Sequence, residues 1–277
     1  MKKAVSLFIL VSLFSAFTCS WAEDDSVVFI RRPTGATAAG GVSYYQTVLN
    51  SSPLSYLRLG ESSGATAVDE QGNHNGTYTG TIGYSQTGAI IGDANTAIYF
   101  GDNGAGIAGQ ADLGSGAWAE GLASMTIEIW GKTIAGYGST GQYRSLTSLG
   151  NVFGEENGWR ISMDENTGKV QCIASKVTDM DTDSGFSTSA INNNAYHQVV
   201  CRYDGANLSI WVDGVKESQT ALTGNLLSSS SHRNVYINES PVTGLWGFPG
   251  TEDEWSFYTT SLSDADILNH YNKGIGL

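Results

Sequence analysis

Proline, cysteine and basic residues are scarce in this chain of 277 residues. Only 4 prolines occur beside 35 glycines, and 14 Lys and Arg stand against 27 Asp and Glu, which gives a formal net charge of −13. Proteins that bind nucleic acid or anionic membrane surfaces need a basic face. The charge therefore excludes nucleic acid and such membranes as partners, and it leaves many carboxylates free for calcium.

Long hydrophobic runs are absent after residue 22. Before it, a basic start precedes an apolar run from Ala4 to Phe17, and Ser20-Trp21-Ala22 supplies the small residues that a signal peptidase reads. This run is shorter than the roughly 20 apolar residues that span a bilayer. We expect a cleaved signal at 1–22 and a protein that is secreted, cell-surface or periplasmic. A membrane anchor or, through Cys19, a lipoprotein is the alternative.

Only two cysteines remain beyond the signal, Cys172 and Cys201. Both lie in strand-like runs, and an oxidising compartment favours their pairing. We expect a disulfide that staples two neighbouring strands; two buried free thiols are the alternative. No Cys–His spacing supports a metal or catalytic role.

Residues 23–43 form an N-terminal extension before one large domain at 44–277. Val27 to Ile30 is a single strand-like run, and the small residues from Thr34 to Gly41 are typical of a flexible linker. A lone apolar strand either docks on its own domain or adds to the sheet edge of a second copy. The sequence leaves both open; if the chain joins a second copy or a neighbouring subunit, residues 23–43 are the segment expected to do so.

Short alternating runs dominate the domain. Met125, Ile127 and Ile129 share one face of a strand, and Asp204-Gly205 and Asp213-Gly214 are strong hairpin signals. In the run from Leu208 to Val212, Trp211 points away from the other apolar residues, so both faces of that strand should be covered.

One late segment is predicted to be helical. Ser263 and Asp266 form a capping box, Ile267, Leu268 and Tyr271 an apolar stripe, and Gly274 a stop signal. Because strands and helices do not alternate, a parallel α/β sheet is excluded. The pattern predicts an all-β fold, a two-sheet antiparallel jelly-roll sandwich with one short C-terminal helix.

Five segments, in order, resemble bacterial and phage laminin G-like domains of the concanavalin A-like group. The match covers about 44–277, with Leu57 and Tyr196 where tryptophan is usual. The segments are Ser52–Glu61, Asp69–Tyr78, Thr126–Trp130, Tyr196–Gly214 and Glu252–Gly274.

This resemblance implies a concanavalin A-like jelly roll. Such domains commonly serve as carbohydrate-binding or adhesive modules, often with a structural calcium ion. We therefore expect a non-catalytic extracellular module that binds a glycan or cell-surface polymer. A structural or assembly subunit of a surface layer, filament or fibre is the alternative, and a glycoside hydrolase a minor one.

Calcium has two candidate sites. In the first, Asp69 and Asn73 supply oxygens, and Asp253 completes the shell because the resemblance brings the two ends of the domain together. The alternative is that the same oxygens cap backbone N–H groups of a turn. The rival site is the loop with Asp179, Asp181 and Asp183, whose alternate acids imitate an EF-hand but whose glycine arrives one position late.

Aromatic residues in glycine-rich loops are the candidates for ligand binding. Trp246 and Phe248 would form a stacking platform for a sugar ring, or else a hydrophobic plug that closes one end of the sandwich. Tyr137 and Tyr143 are weaker candidates of the same kind.

Catalysis has little support in the sequence. Glu252 and Glu254 alternate on one strand and would share a face, as paired acids do in sandwich glycosidases. The wider acid spacing and the aromatic-lined cleft of those enzymes are missing. No catalytic residue is assigned.

Overall fold

The computed structural model describes residues 19–21, 27–29, 42–101, 109–133, 143–150, 158–176, 179–228, 233–238 and 247–277. It divides into two units, Met1–Gly41 and Val42–Leu277. In the first unit, strands β1 (Cys19–Trp21) and β2 (Val27–Phe29) pair in antiparallel fashion. The signal predicted at 1–22 and the linker at Thr34–Gly41 lie largely outside the described residues.

The second unit is mostly β-structure between two helices. Its elements are α1 (Tyr44–Asn50), β3 (Ser55–Leu57), β4 (Thr66–Ala67), β5 (Gly76–Thr79), β6 (Thr81–Thr87), β7 (Thr96–Gly101), β8 (Gln110–Ser115), a 3-10 turn (Ala117–Ala119), β9 (Met125–Thr133), β10 (Tyr143–Leu149), β11 (Trp159–Asp164), β12 (Val170–Lys176), β13 (Asp179–Asp183), β14 (His197–Tyr203), β15 (Asn207–Val212), β16 (Val215–Ala221), β17 (Asn234–Ile237), β18 (Gly250–Tyr258) and α2 (Asp264–Gly274).

These strands form two antiparallel sheets, as predicted. Sheet 1 has the order β13-β12-β11-β10-β17-β8-β5-β4, and sheet 2 the order β16-β15-β14-β9-β18-β7-β6, with β3 pairing to β18. The core lies between the sheets. Ile127 and Ile129 of β9 face it as predicted, together with Ile161 and Met163 of β11.

The helices cover the outer face of sheet 2. Ile267 of α2 packs against Val200 and Trp211, which confirms that both faces of β15 are covered. The capping box of Ser263 and Asp266 is present. Leu268 was expected on the buried stripe of α2 and is instead 45% exposed.

Helix α1 was not predicted, because its residues are typical of strands. Ser43 caps it, with its side chain accepting the N–H of Gln46. Tyr44, Thr47 and Val48 are buried at the spacing of one helical face. The helix therefore docks beside Trp130 and α2 rather than joining a sheet.

The predicted disulfide joins Cys172 to Cys201, whose Cα atoms are 5.5 Å apart. The expected geometry needs correction, because Cys172 lies on β12 of sheet 1 and Cys201 on β14 of sheet 2. Both side chains face the core. The bond therefore links the two sheets across the sandwich instead of joining neighbouring strands of one sheet. Among the described helices, none is long and apolar enough to cross a bilayer.

Candidate functional site

The outer face of sheet 1 carries a row of polar side chains. Residues that lie opposite each other in paired strands share a face, and the register places Tyr143 opposite Asp164 and Ser145 opposite Ser162. The intervening residues of β11 belong to the core. The outer row of β10, β11 and β12 is therefore mostly polar, with Ser145, Ser148, Arg160, Ser162 and Gln171 beside the half-buried Ile173.

These polar side chains are almost fully buried although they point away from the core. Ser145 is 2% exposed, and its Oγ has no hydrogen-bond partner. Gln171 Nε2 reaches Ser162 Oγ at 3.5 Å, at the limit of a hydrogen bond. A buried hydroxyl without a partner is costly, and the burial of Ser145 places its Oγ out of reach of a ligand.

An aromatic pair lies at one end of this row. The rings of Tyr143 and Phe186 are nearly parallel, with 6.1 Å between their centroids and 13° between their planes. Phe186 is 38% exposed, whereas Tyr143 is half-buried. Tyr143 was predicted from its loop, but Phe186 was missed; its signal in the sequence was an aromatic residue directly after Gly185 in a polar loop.

The other predicted aromatic residues do not contribute to this pair in the described structure. Phe248 is fully buried in the core, and its ring lies 3.4 Å from the point where a Cβ on Gly131 would lie. Phe248 therefore fits the alternative, a hydrophobic plug at one end of the sandwich, and not the predicted sugar platform. Trp246 and Tyr137 lie outside the described residues. Gly247, which follows Trp246, pairs with Ser145.

The carboxylate of Asp69 is occupied by the backbone of its own loop and of β3. Its Oδ1 accepts the N–H groups of Tyr56 and Gln71 at 2.7 and 3.1 Å. Its Oδ2 accepts those of Asn73 and His74 at 3.1 and 2.9 Å. These four bonds are those of a turn-stabilising Asp, the alternative to a calcium ligand.

Asp253, the third predicted calcium ligand, is buried on β18. Its Oδ2 accepts the N–H of Ala89 at 2.7 Å, while its Oδ1 has no partner. Burial, with the neighbouring Glu254 carboxylate, raises the pKa of Asp253 well above its usual value. No group of three acidic, His or Cys side chains suited to a metal occurs in the part of the chain that the structure describes.

The rival acidic loop forms the edge strand β13. Asp183 uses its Oδ1 to accept the N–H of Gly185 at 2.9 Å. The side chains of Asp179 and Asp181 lie outside the described residues, so calcium binding by this trio stays a prediction.

Glu252 and Glu254 do not share a face, contrary to the alternation of the sequence. The pairing of β18 with β9 shifts between Asp253 and Ser256, and Glu254 adopts φ 53°. Glu252 lies opposite Gly131 and faces the core, where neither of its oxygens has a partner. Burial alone raises its pKa well above the ordinary 4.5.

Glu254 lies in a different, ion-paired environment. Arg58 donates to its Oε1 from Nε and from a terminal nitrogen at 3.0 and 2.7 Å, and the Tyr56 hydroxyl donates to Oε2. Burial raises the pKa of Glu254 to about 7 against the lowering effect of Arg58. Since Glu252 and Glu254 are both buried in unlike surroundings, they do not form the accessible acid pair of a glycosidase.

A second buried network ties α1 to α2. His270 Nδ1 lies 2.7 Å from Glu128 Oε2, and its Nε2 lies 2.9 Å from Ser51 Oγ. Tyr44 and Gln198 donate to the other oxygen of Glu128, each at 2.9 Å. Although the spacing imitates a catalytic triad, the imidazole of His270 is fully buried, so a substrate cannot reach it. The network therefore links the two helices to sheet 2 and has a structural role.

The solved structures that share this fold include three whose names describe a glycan-related protein or domain. Domain 4 of AbnA, a GH43 extracellular arabinanase from Geobacillus stearothermophilus, was solved with arabinotriose; it is 15% identical with a TM-score of 0.57, over 78% of this chain and 97% of that one. The binding domain of botulinum neurotoxin DC, in complex with SialylT, is 14% identical with a TM-score of 0.53, over 81% and 52%. Trypanosoma rangeli sialidase is 11% identical with a TM-score of 0.55, over 80% and 32%.

The chain thus spans nearly all of the arabinanase domain, about half of the toxin domain and a third of the sialidase. At these identities the likeness concerns the fold. A search of the curated proteins finds no match. A family model, however, matches residues 102–268, more than half of the sequence. With the two-sheet sandwich described above, the chain belongs to the concanavalin A-like lectin/glucanases superfamily.

Proposed function

We propose that the domain at 44–277 is a non-catalytic carbohydrate-binding module that acts outside the cytoplasm. The observation that carries the proposal is the Tyr143–Phe186 pair beside the polar outer face of sheet 1. An aromatic ring packs on the apolar face of a sugar, and neighbouring polar groups fix its orientation. The exposed ring of Phe186 supplies the first kind of contact, and the exposed carboxylate of Asp183, three residues before it, supplies the second.

Two structural neighbours support a glycan as the ligand, since one was solved with arabinotriose and the other with SialylT. The disulfide supports an oxidising compartment. A non-catalytic role agrees with the burial of Glu252 and Glu254, because a glycosidase needs two carboxyl groups that flank its substrate. Secretion through the 1–22 signal remains part of the proposal.

A glycan-array screen of the mature protein, run with calcium and again with chelator, tests the proposal. We expect retention of a defined sugar class and its loss in Tyr143→Ala and Phe186→Ala. Tyr45→Ala is the matched control, since it removes a half-buried ring from α1 on the opposite side of the sandwich. An array without signal from correctly folded protein would contradict the proposal, as would equal binding by all the variants.

Two further expectations remain predictions. Calcium bound by Asp69, Asn73 and Asp253 would make retention on the array fall with chelator. Self-association through residues 23–43 would show as a larger species in size-exclusion chromatography that disappears on truncation before Tyr44. An unchanged monomeric profile of both forms would remove the assembly alternative.

A further inference from the structure

We infer that the Tyr143–Phe186 platform selects uncharged glycans and rejects those that carry a carboxylate, an inference that rests on the proposed function. Asp164 is the first reason. It lies directly opposite Tyr143 on the outer face of sheet 1, where facing Cβ atoms are about 5 Å apart. Its Oδ1 accepts the N–H of Asn166 at 2.8 Å, so the side chain is held in the turn that follows β11.

Asp183 is the second reason. It precedes Phe186 by three residues and lies opposite Ile173 at the edge of sheet 1. Its carboxylate is exposed and is fixed by the N–H of Gly185. Strand register therefore places one carboxylate opposite Tyr143, and the sequence places a second three residues before Phe186.

The neighbouring cations form no ion pair with Asp164. Arg144, next to Tyr143, is paired with the buried Glu165, and Arg160 of the outer row is almost fully buried. Lys169 lies across the hairpin from Asp164, whose N–H its carbonyl accepts, and it offsets part of the negative charge. Among the ion pairs of the described residues, Asp164 occurs in none.

The same carboxylates suit a neutral sugar. A carboxylate oxygen accepts hydrogen bonds from sugar hydroxyls, and the carboxylate of Asp183 is exposed. A ligand carboxylate about 7 Å from Asp164 would instead be repelled, which weakens binding by about threefold at the dielectric of water and by more near a protein surface. The net charge of −13 repels it further at low ionic strength.

The test compares matched pairs of oligosaccharides by titration calorimetry at low and high salt. Galactotriose and trigalacturonic acid are one pair, which differ in the carboxylates at C6; each neutral glycan retained on the array is paired with its uronic acid counterpart. We expect the neutral member to bind at least threefold more tightly. This gap, the ratio of the two dissociation constants, should shrink at about 0.5 M salt, where charges are screened within a few ångströms.

Asp164→Asn should narrow the gap by about threefold while keeping the acceptor for Asn166. Asp204→Asn is the matched control, because Asp204 likewise caps a turn, on β14–β15 of sheet 2, and the gap should stay unchanged. Equal or tighter binding of the acidic member would overturn the inference and leave the module a glycan binder. Failure of every glycan to bind would overturn the proposed function itself.

Discussion

Replacing Glu252 by glutamine should stabilise the protein, and the gain should grow with pH. Its carboxyl is fully buried between the sheets without a partner, so the folded state keeps it uncharged. In the unfolded chain it ionises near its ordinary pKa of 4.5. Because the folded pKa is the higher one, stability is fully present below pH 4.5 and is lost as pH rises towards the folded pKa.

The loss amounts to about 1.4 kcal/mol per pH unit between the unfolded and the folded pKa. Glutamine keeps the shape but does not titrate. The unfolding free energy of Glu252→Gln should therefore rise relative to that of wild type by about 1.4 kcal/mol per pH unit above pH 4.5, until the folded pKa is reached. Titrating groups common to both proteins cancel in the difference.

Urea unfolding from pH 4.5 to pH 8 measures this difference. Chelator is present so that no bound metal ion stabilises the ionised form of the carboxyl group. Glu70→Gln is the control, since Glu70 is exposed on a loop, and it should change the unfolding free energy by less than about 0.5 kcal/mol at every pH. A Glu252→Gln protein that is less stable than wild type at pH 7, or a difference that does not vary with pH, would refute the reasoning. Either result would mean that the carboxylate is ionised in the core and has a partner.

Three other predictions follow from single contacts. Cys172→Ser opens a bridge between residues 29 apart and should lower the unfolding free energy by about 3 to 4 kcal/mol, a loss that reductant should reproduce in wild type. Gly274→Ala would place a Cβ 2.3 Å from the Trp130 ring and should lower the thermal midpoint more than Gly72→Ala, which meets nothing within 4 Å and is strained only by its φ of 73°. Asp69→Ala removes the acceptor of four backbone N–H groups and should cost several kcal/mol in chelator; a further loss that appears only with calcium would establish the metal site.

Alternation along the strands made the sandwich predictable. A residue of one face recurs every second position, so Ile127 and Ile129 were assigned to the core from the sequence alone, and the structure confirms both. The opposite orientation of Trp211 likewise predicted a cover on the outer face of sheet 2. What covers it is the predicted helix α2, whose cap at Ser263 and end at Gly274 the structure confirms. Only its buried face was wrong, because Leu268 was assigned to the face that His270 occupies.

Helix α1 shows how tertiary packing overrides local preference. Its residues are typical of strands, so the start of the domain was interpreted as β-structure. The helix forms because Tyr44 and Val48, one turn apart, can pack beside Trp130 while Tyr44 also donates to Glu128. That second contact joins residues 84 positions apart, and no pattern within a short window contains it.

Two features could not be predicted for the same reason: the separate orientations of Glu252 and Glu254, and the pairing of Tyr143 with Phe186. One extra residue in β18 turns Glu252 towards the core and leaves Glu254 to Arg58, so the paired acids suggested by alternation never meet. The aromatic platform, conversely, joins Tyr143 to Phe186 across two intervening strands of sheet 1. A stacking pair of this kind is a property of strand register, and register follows from how the sheets pack; the aromatic residues were therefore predictable one by one, and their partnership was not.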